Sequence, residues 1–260
     1  MVNAARLAAV CIFSSAAVLA QQSTGSSSEP QAVESETLIS PKQLVTRILH
    51  DQKPIWTLPA QVVRGNHWKP VAAVVAGTAA LVVLDPHTEP YFNNPTRFNG
   101  YKTGPLRGRN TTLAVTMTPV AFYLAGLATH SSYERNTAFL AAEGIFDTQM
   151  VSFVMKSAVG RLKPSDIPPG GNYRDTWFKY KGNLENRGGF PSGHTASAFA
   201  VATIVAGRYP KHRWLPYVAY GVAGVLSLSR LPTQAHFPSD IFIGAALGYS
   251  IGRFVVLKQH

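Results

Sequence analysis

Along the chain, apolar runs alternate with short polar or Gly/Pro-containing breaks, and no run keeps the strict two-residue alternation of a half-buried strand. The runs fall at about Val71–Leu84, Thr112–Ala128, Thr137–Val159, Thr195–Ala206, Leu215–Leu228 and Ile241–Leu257, with Ala, Leu and Gly prevailing over β-branched residues. This pattern predicts an all-α fold, a six-helix core bundle, without internal repeats. Ahead of the bundle, Pro41 to about His50 has helical periodicity, and Pro54–Pro59, with Trp56, reads as an irregular connector. Residues 41–70 therefore form an N-terminal helix and connector, and 71–260 one helical domain.

The first forty residues carry a different pattern. Arg6, the apolar Leu7–Leu19 and the small-residue site Val18-Leu19-Ala20 read as a signal peptide over residues 1–20, cleaved before Gln21, with an uncleaved anchor helix as the alternative. Residues 21–40, rich in Ser, Gly, Pro and Glu near their start, read as a flexible tether. The single cysteine, Cys11, lies within the leader, so a cleaved chain has neither disulfides nor thiol catalysis.

Composition changes this picture in one respect. A net charge of +11 on only 14% charged residues admits a nucleic acid, an anionic membrane surface or an anionic small substrate. No arginine-rich helix or basic-aromatic ladder is present, which argues against nucleic acid.

Three polar constellations interrupt the apolar pattern. Lys156-Ser-Ala-Val-Gly-Arg161-Leu-Lys163-Pro164 closes the third run; Lys156 and Lys163 are two helical turns apart, and Pro164 stops the helix. Phe190-Pro-Ser192-Gly193-His194-Thr195 opens the fourth, where unpaired backbone N–H groups suit an anion. Ser229-Arg230-Leu-Pro-Thr-Gln-Ala-His236-Phe-Pro-Ser-Asp240 links the fifth to the sixth, and its carboxylate, four residues after the imidazole, can hold one ring nitrogen and leave the other to attack. Each has a plainer reading alone: a solvated basic helix end, a helix cap, a loop histidine beside a capping aspartate. Alternating helices bring all three to one end of the bundle. Lysines, arginine, serine, two histidines and one aspartate around two helix starts suit a tetrahedral oxyanion.

These residues resemble the three signatures of the type-2 phosphatidic acid phosphatase and vanadium haloperoxidase superfamily: Lys-x6-Arg-Pro, Pro-Ser-Gly-His and Ser-Arg-x5-His-x3-Asp. The second and third match residue for residue, and the resemblance covers roughly residues 115–257. It implies His236 as the nucleophile that takes the phosphoryl group, Asp240 as its orienter and His194 as the acid for the leaving alcohol. Lys156, Lys163, Ser192, the Gly193 N–H and Arg230 would hold the phosphate oxygens, with no metal and no cofactor. The substrate would be a phosphomonoester or diphosphate, lipid or small molecule. The alternatives are a vanadate-dependent haloperoxidase, with vanadate as cofactor on His236, and a non-catalytic phosphate-binding envelope protein. One position departs from the signature: Lys163 stands where the family has arginine, keeping the charge but losing the two-pronged grip on phosphate.

Location is expected from the same residues. Most runs fall short of the roughly 20 apolar residues that span a bilayer, and Glu143, Asp147 and Gln149 would be costly against lipid. With an exported N-terminus and six spans, the site loop would also end in the cytoplasm. Arg208, Lys211, Arg213, Arg253 and Lys258 nevertheless gather at the far end, as in a positive-inside protein. The expectation is a soluble or membrane-surface bundle exported to the periplasm or cell envelope, with a six-span integral membrane protein as the alternative. His50, His67, His87, His130, His212 and His260 read as surface or loop residues, Trp68, Trp177 and Trp214 as packing groups, and Asn110-Thr111-Thr112 as an incidental glycosylation match. The 167–187 loop either shapes specificity or merely connects.

Overall fold

The computed structural model describes residues 36–65, 68–93, 97–98, 104–168, 171–179 and 188–259. The expected leader with Cys11, most of the tether, His67, His260 and much of the 167–187 loop lie outside them. The described residues hold seven α-helices and no strand: α1 (Pro41–Val63), α2 (Trp68–Phe92), α3 (Gly108–Ala128), α4 (Ser132–Val159), α5 (Gly193–Arg208), α6 (Leu215–Leu228) and α7 (Pro238–Ile251). A π-helical turn, Gly252–Val256, extends α7.

The chain is helical through the stretch expected to be a connector. Pro54 and Pro59 lie inside α1, and the Thr57 hydroxyl donates to the Lys53 carbonyl at 2.8 Å, occupying an acceptor in the stretch where the prolines donate nothing. The start of α1 is fixed by a reciprocal cap between Ser40 and Gln43. In the middle of the sequence, α4 begins at the Ser131 cap and closes on Gly160, whose φ of 53° is left-handed.

α5 is the axis of the bundle, with twelve of its sixteen residues buried. One face carries Ala198, Val201, Ala202 and Val205 into a core shared with Val115 of α3, Ala141 of α4 and Ala223 of α6. Its other contact, with α7, is unusually close because Gly244, Gly248 and Gly252 recur every fourth residue. A Cβ at Gly248 would lie 2.1 Å from the Ala196 carbonyl oxygen, so only hydrogen allows this approach.

Polar groups inside the bundle are paired across long sequence distances. Arg47 of α1 donates to both carboxylate oxygens of Glu143, at 2.8 and 3.2 Å, and Gln52 donates to Asp147 at 2.8 Å. Asp51, Glu143 and Asp147 are all fully buried. At the end where α5 finishes, Arg208 donates to both oxygens of Glu36, at 2.8 and 2.7 Å. Asn136 there binds the backbone of Thr37 and Ile39.

Among the described residues, four helical stretches are long and apolar enough to cross a membrane: Trp68–Phe92, Gly108–Ala128, Ser132–Asp166 and Pro238–Val256. In the α2 window only 6% of residues are buried, and Val75, Val83 and Leu84 are exposed. These are the lengths and surfaces of a membrane protein. Both expectations for location are corrected: the soluble bundle because Glu143 and Asp147 face Arg47 and Gln52 rather than lipid, and the six spans because four helices among the described residues, not six, are both long and apolar enough. α6 is apolar but has only 14 residues.

Candidate active site

Four helix ends meet at the end of the bundle away from Glu36. α4 brings Lys156 there, and the turn at Gly160 sends the chain on to Lys163. α5 and α7 both start there, and α6 finishes there, delivering Arg230. The α5 start is locally encoded. Ser192 caps it, accepting from the Thr195 amide at 3.4 Å and the Thr195 hydroxyl at 3.0 Å, so its own hydroxyl hydrogen remains to donate. The first-turn amides of α5, including that of Gly193, have no carbonyl to bond within the helix. Gly193 sits close against Gln149: a Cβ there would lie 3.2 Å from its side-chain amide group. That amide holds the turn from below, donating to the Gly193 carbonyl at 3.0 Å and the Ser197 hydroxyl at 2.8 Å.

The two histidines sit in unlike surroundings. His236 is buried, and its Nδ1 lies 2.8 Å from the Gly189 carbonyl oxygen. A carbonyl only accepts, so Nδ1 carries hydrogen and the neutral ring presents Nε2 as a lone pair. Asp240 stands 3.7 Å from Nδ1, close enough for charge but beyond a hydrogen bond. Its oxygens are otherwise engaged, Oδ1 by Arg161 at 2.6 Å and Oδ2 by the Phe237 amide at 2.9 Å. The expected direct grip of Asp240 on the imidazole is thus taken by Gly189. Burial pulls the His236 pKa down; Asp240 opposes this, while Lys156 and Arg230 add to it.

His194, in the first turn of α5, contacts the Thr112 hydroxyl through Nε2 at 2.6 Å. Its pKa is lowered to about 3, by burial first and then by the positive charge of Arg230, His236, Lys156 and Lys163. That list of neighbours describes the site: one imidazole beside Lys156, Lys163 and Arg230, with His236 close by. Arg230 is buried and donates to Thr111 at 3.2 Å. The stem of Lys163 runs beside Gly189, where a Cβ would lie 3.5 Å from Lys163 Cγ and 3.2 Å from Asp240 Oδ2. All eight expected residues are therefore at this one end. Among the described residues no group of three or more His, Cys, Asp or Glu is placed to hold a metal ion.

Residues 137–260, which hold all three constellations, match the PAP2 superfamily model. This stretch, just under half of the chain, is similar to the PAP2 superfamily. Among relatives, a lipid A 1-phosphatase of Porphyromonas gingivalis is 32% identical over 100 residues, covering 38% of this chain and 22% of that protein. A lipid A 4'-phosphatase of Bacteroides thetaiotaomicron is 33% identical over 103 residues, covering 40% and 44%. The match spans less than half the length of either relative. The crystal structure of a transmembrane PAP2 type phosphatidylglycerolphosphate phosphatase from Bacillus subtilis superposes with a TM-score of 0.41 at 17% identity, covering 82% of this chain and 95% of that one. A score that low adds nothing to the fold assignment.

Against the PAP2 signature, the Lys163 substitution is not offset by Arg161. That guanidinium is turned inward, bound to Thr176, Ser239, Asp240 and Asp85 and stacked on Trp177 and Phe237. Trp177 also packs edge-on against Phe190, so the described part of the 167–187 loop braces the site from behind. Four participants escaped the sequence reading. Gly189 contributes a backbone oxygen, which no side-chain pattern reveals. Thr111 and Thr112 were visible only as a glycosylation match, yet face Arg230 and His194. Asp85 lies far upstream, just past the first apolar run.

Proposed function

We propose that this protein is a metal-independent lipid-phosphate phosphatase working through a phosphohistidine at His236. The phosphate would sit against the α5 start, its oxygens met by Lys156, Lys163, Arg230, the Ser192 hydroxyl and the Gly193 amide. His236 Nε2 attacks phosphorus as the bond to the leaving alkoxide breaks, and protonated His194 gives that oxygen its proton. Water then attacks the N-phosphoryl group and passes a proton to His194. The N–P bond breaks, inorganic phosphate forms, and His236 is restored. Stabilising charge on the equatorial oxygens is the main contribution of the cations.

The observation that carries this reading is the pairing of unlike histidines: one fixed through Nδ1 with Nε2 free, the other against a hydroxyl amid three cations, Lys156, Lys163 and Arg230. For a lipid substrate, the support is the lipid A phosphatase relatives and the surface around the site. Exposed apolar helices flank it, and an apolar cleft of about 350 Å³ lined by Phe199, Leu228, Leu231, Pro238, Ile241 and Phe242 lies next to Arg230 and His236 in sequence. An exported site fits the basic residues at the opposite end, Lys211, Arg213, Arg253 and Lys258.

The test is release of inorganic phosphate from an aryl phosphate and from a phosphorylated lipid in detergent, with chelator present. Turnover is expected from the wild type, falling by on the order of 10³-fold or more in His236→Ala. Activity retained in that variant rules out the phosphohistidine route, and activity lost on chelation rules out a metal-free one.

A further inference from the structure

Asp85 belongs to α2, a part of the chain that the PAP2 match does not reach, yet it accepts three hydrogen bonds, two from Ser239 at the start of α7 and one from Arg161 beyond the end of α4. The Ser239 amide donates to Oδ1 at 3.2 Å, and the Ser239 hydroxyl and Arg161 Nη2, the latter at 2.7 Å, donate to Oδ2. Every partner is a donor, which is the surrounding of an ionised carboxylate. Arg161 passes the contact on. Its Nη1 donates to Asp240 at 2.6 Å and Ser239 at 2.7 Å, and its guanidinium lies 4.4 and 4.2 Å from the ring centres of Trp177 and Phe237. The three ionic side chains are at most 1% exposed, so water does not screen them.

The sum of these charges decides what His236 feels. Arg161 and Asp240 alone cancel, leaving the imidazole beside a neutral pair. A second carboxylate on the same guanidinium makes the sum −1. We propose that Asp85 is a positioning residue for His236: by sharing Arg161 with Asp240, it keeps Asp240 in place and leaves a net negative charge behind the imidazole. This rests on His236 being the phosphoryl acceptor. When Nε2 is phosphorylated while Nδ1 keeps its hydrogen, the ring becomes cationic, and that charge is what the cluster would stabilise. The other charged groups facing His236 are Lys156 from α4, His194 from α5 and Arg230 after α6. Glu89, one turn beyond Asp85, faces the acidic cluster. The variants below leave all four in place.

The test is the titration midpoint of the His236 imidazole in the full-length protein, read by NMR on histidine-labelled chain in detergent and assigned with His236→Ala. Removing a negative charge disfavours the imidazolium and removing a positive one favours it. Asp85→Asn is therefore expected to lower the midpoint by about one pH unit, Arg161→Gln to raise it by about as much, and the double variant to return it near the wild type. In the phosphatase assay Asp85→Asn should reduce kcat by roughly tenfold or more while KM changes little, with the acidic limb moving the same way as the midpoint. An unmoved midpoint in Asp85→Asn, or shifts of the same sign in both single variants, overturns the proposal. Where Asp85→Asn fails to fold, Arg161→Gln decides, since an unmoved or lowered midpoint contradicts the charge count. Shifted midpoints in a protein without turnover sink the phosphatase reading but not the coupling; normal turnover with unshifted midpoints sinks the coupling alone.

Discussion

Gly248→Ala adds one methyl group where α7 crosses α5. The new Cβ would lie 2.1 Å from the Ala196 carbonyl oxygen, 2.9 Å from its carbon and 3.0 Å from the Ala200 nitrogen. All three are backbone atoms of the central helix and have no rotamer in which to escape. Ordinary contact begins at 3.4 Å, so α7 must retreat by about 1.3 Å, the difference between 3.4 and 2.1. Overpacking of a core costs about 1–3 kcal/mol, a fall of roughly 2–12 °C in Tm for a chain of this size. Activity should suffer more than stability. α5 carries Ser192 and His194 in its first turn and α7 follows directly on His236, so the retreat changes the spacing between the two histidines. A misplacement near 1 Å costs on the order of 10²-fold in rate. The measurements are thermal unfolding in detergent and initial rates on an aryl phosphate, beside Gly221→Ala and Gly224→Ala. Those glycines lie in α6 with nothing within 4 Å of a built Cβ, and alanine there should be neutral or favourable by up to about 1 kcal/mol. A Gly248→Ala protein with wild-type Tm and rate, or a Gly221→Ala protein equally damaged, would refute the packing argument.

Three further outcomes are expected. With His194 lowered to about 3, the ring is neutral in the empty site at ordinary pH, and a bound anion must raise that value. Affinity for sulfate, which stays fully ionised, should therefore rise as pH falls from the bound-state pKa towards 3, with proton uptake approaching one; calorimetry in buffers of different ionisation enthalpy reads it, and zero uptake at mildly acidic pH contradicts it. Lys163→Arg should strengthen inhibition by inorganic phosphate by roughly threefold to tenfold, because the planar fork replaces a point charge; an unchanged inhibition constant would show that the point charge suffices. Arg47→Ala strands Glu143 beside Asp51 and Asp147 and should cost about 3–5 kcal/mol, measured as a loss of Tm that Arg47→Lys partly restores.

The parts legible in the sequence were those whose signal is local. Ser192-Gly193-His194 and His236-Pro238-Asp240 are helix-start patterns, and alternation of helix direction was enough to bring them to the end where Lys156 and Arg230 arrive. What escaped was non-local. Glu143 and Asp147 looked like an argument against a membrane because their partners, Arg47 and Gln52, lie about 95 residues upstream. Asp85 was an isolated acid near the end of an apolar run until Arg161 and Ser239 gave it a purpose. The four-residue spacing of Gly244, Gly248 and Gly252 was readable, but its meaning depends on which backbone passes above it. Pro54 and Pro59 were read as breaks because local rules favour that, and tertiary contacts through Arg47 and Gln52 carry the helix across them.

The grip of Arg208 on Glu36 has a consequence for sidedness. Arg208 is the last residue of α5 and Ser192 its cap, so the grip and the site are separated by the helix, about 24 Å at 1.5 Å per residue. A bilayer crossed by the four long apolar helices puts residue 36 and the phosphate-handling end in different compartments. Protease or label access at residue 36 thus reports the location of the chemistry by inversion: reached from one side, the headgroups are processed on the other. A leader cleaved on export leaves residue 36 outside, and in a spanning molecule that sends the site inward. The two expectations, a cleaved leader and an exported site, describe different proteins, and a single accessibility experiment chooses between them.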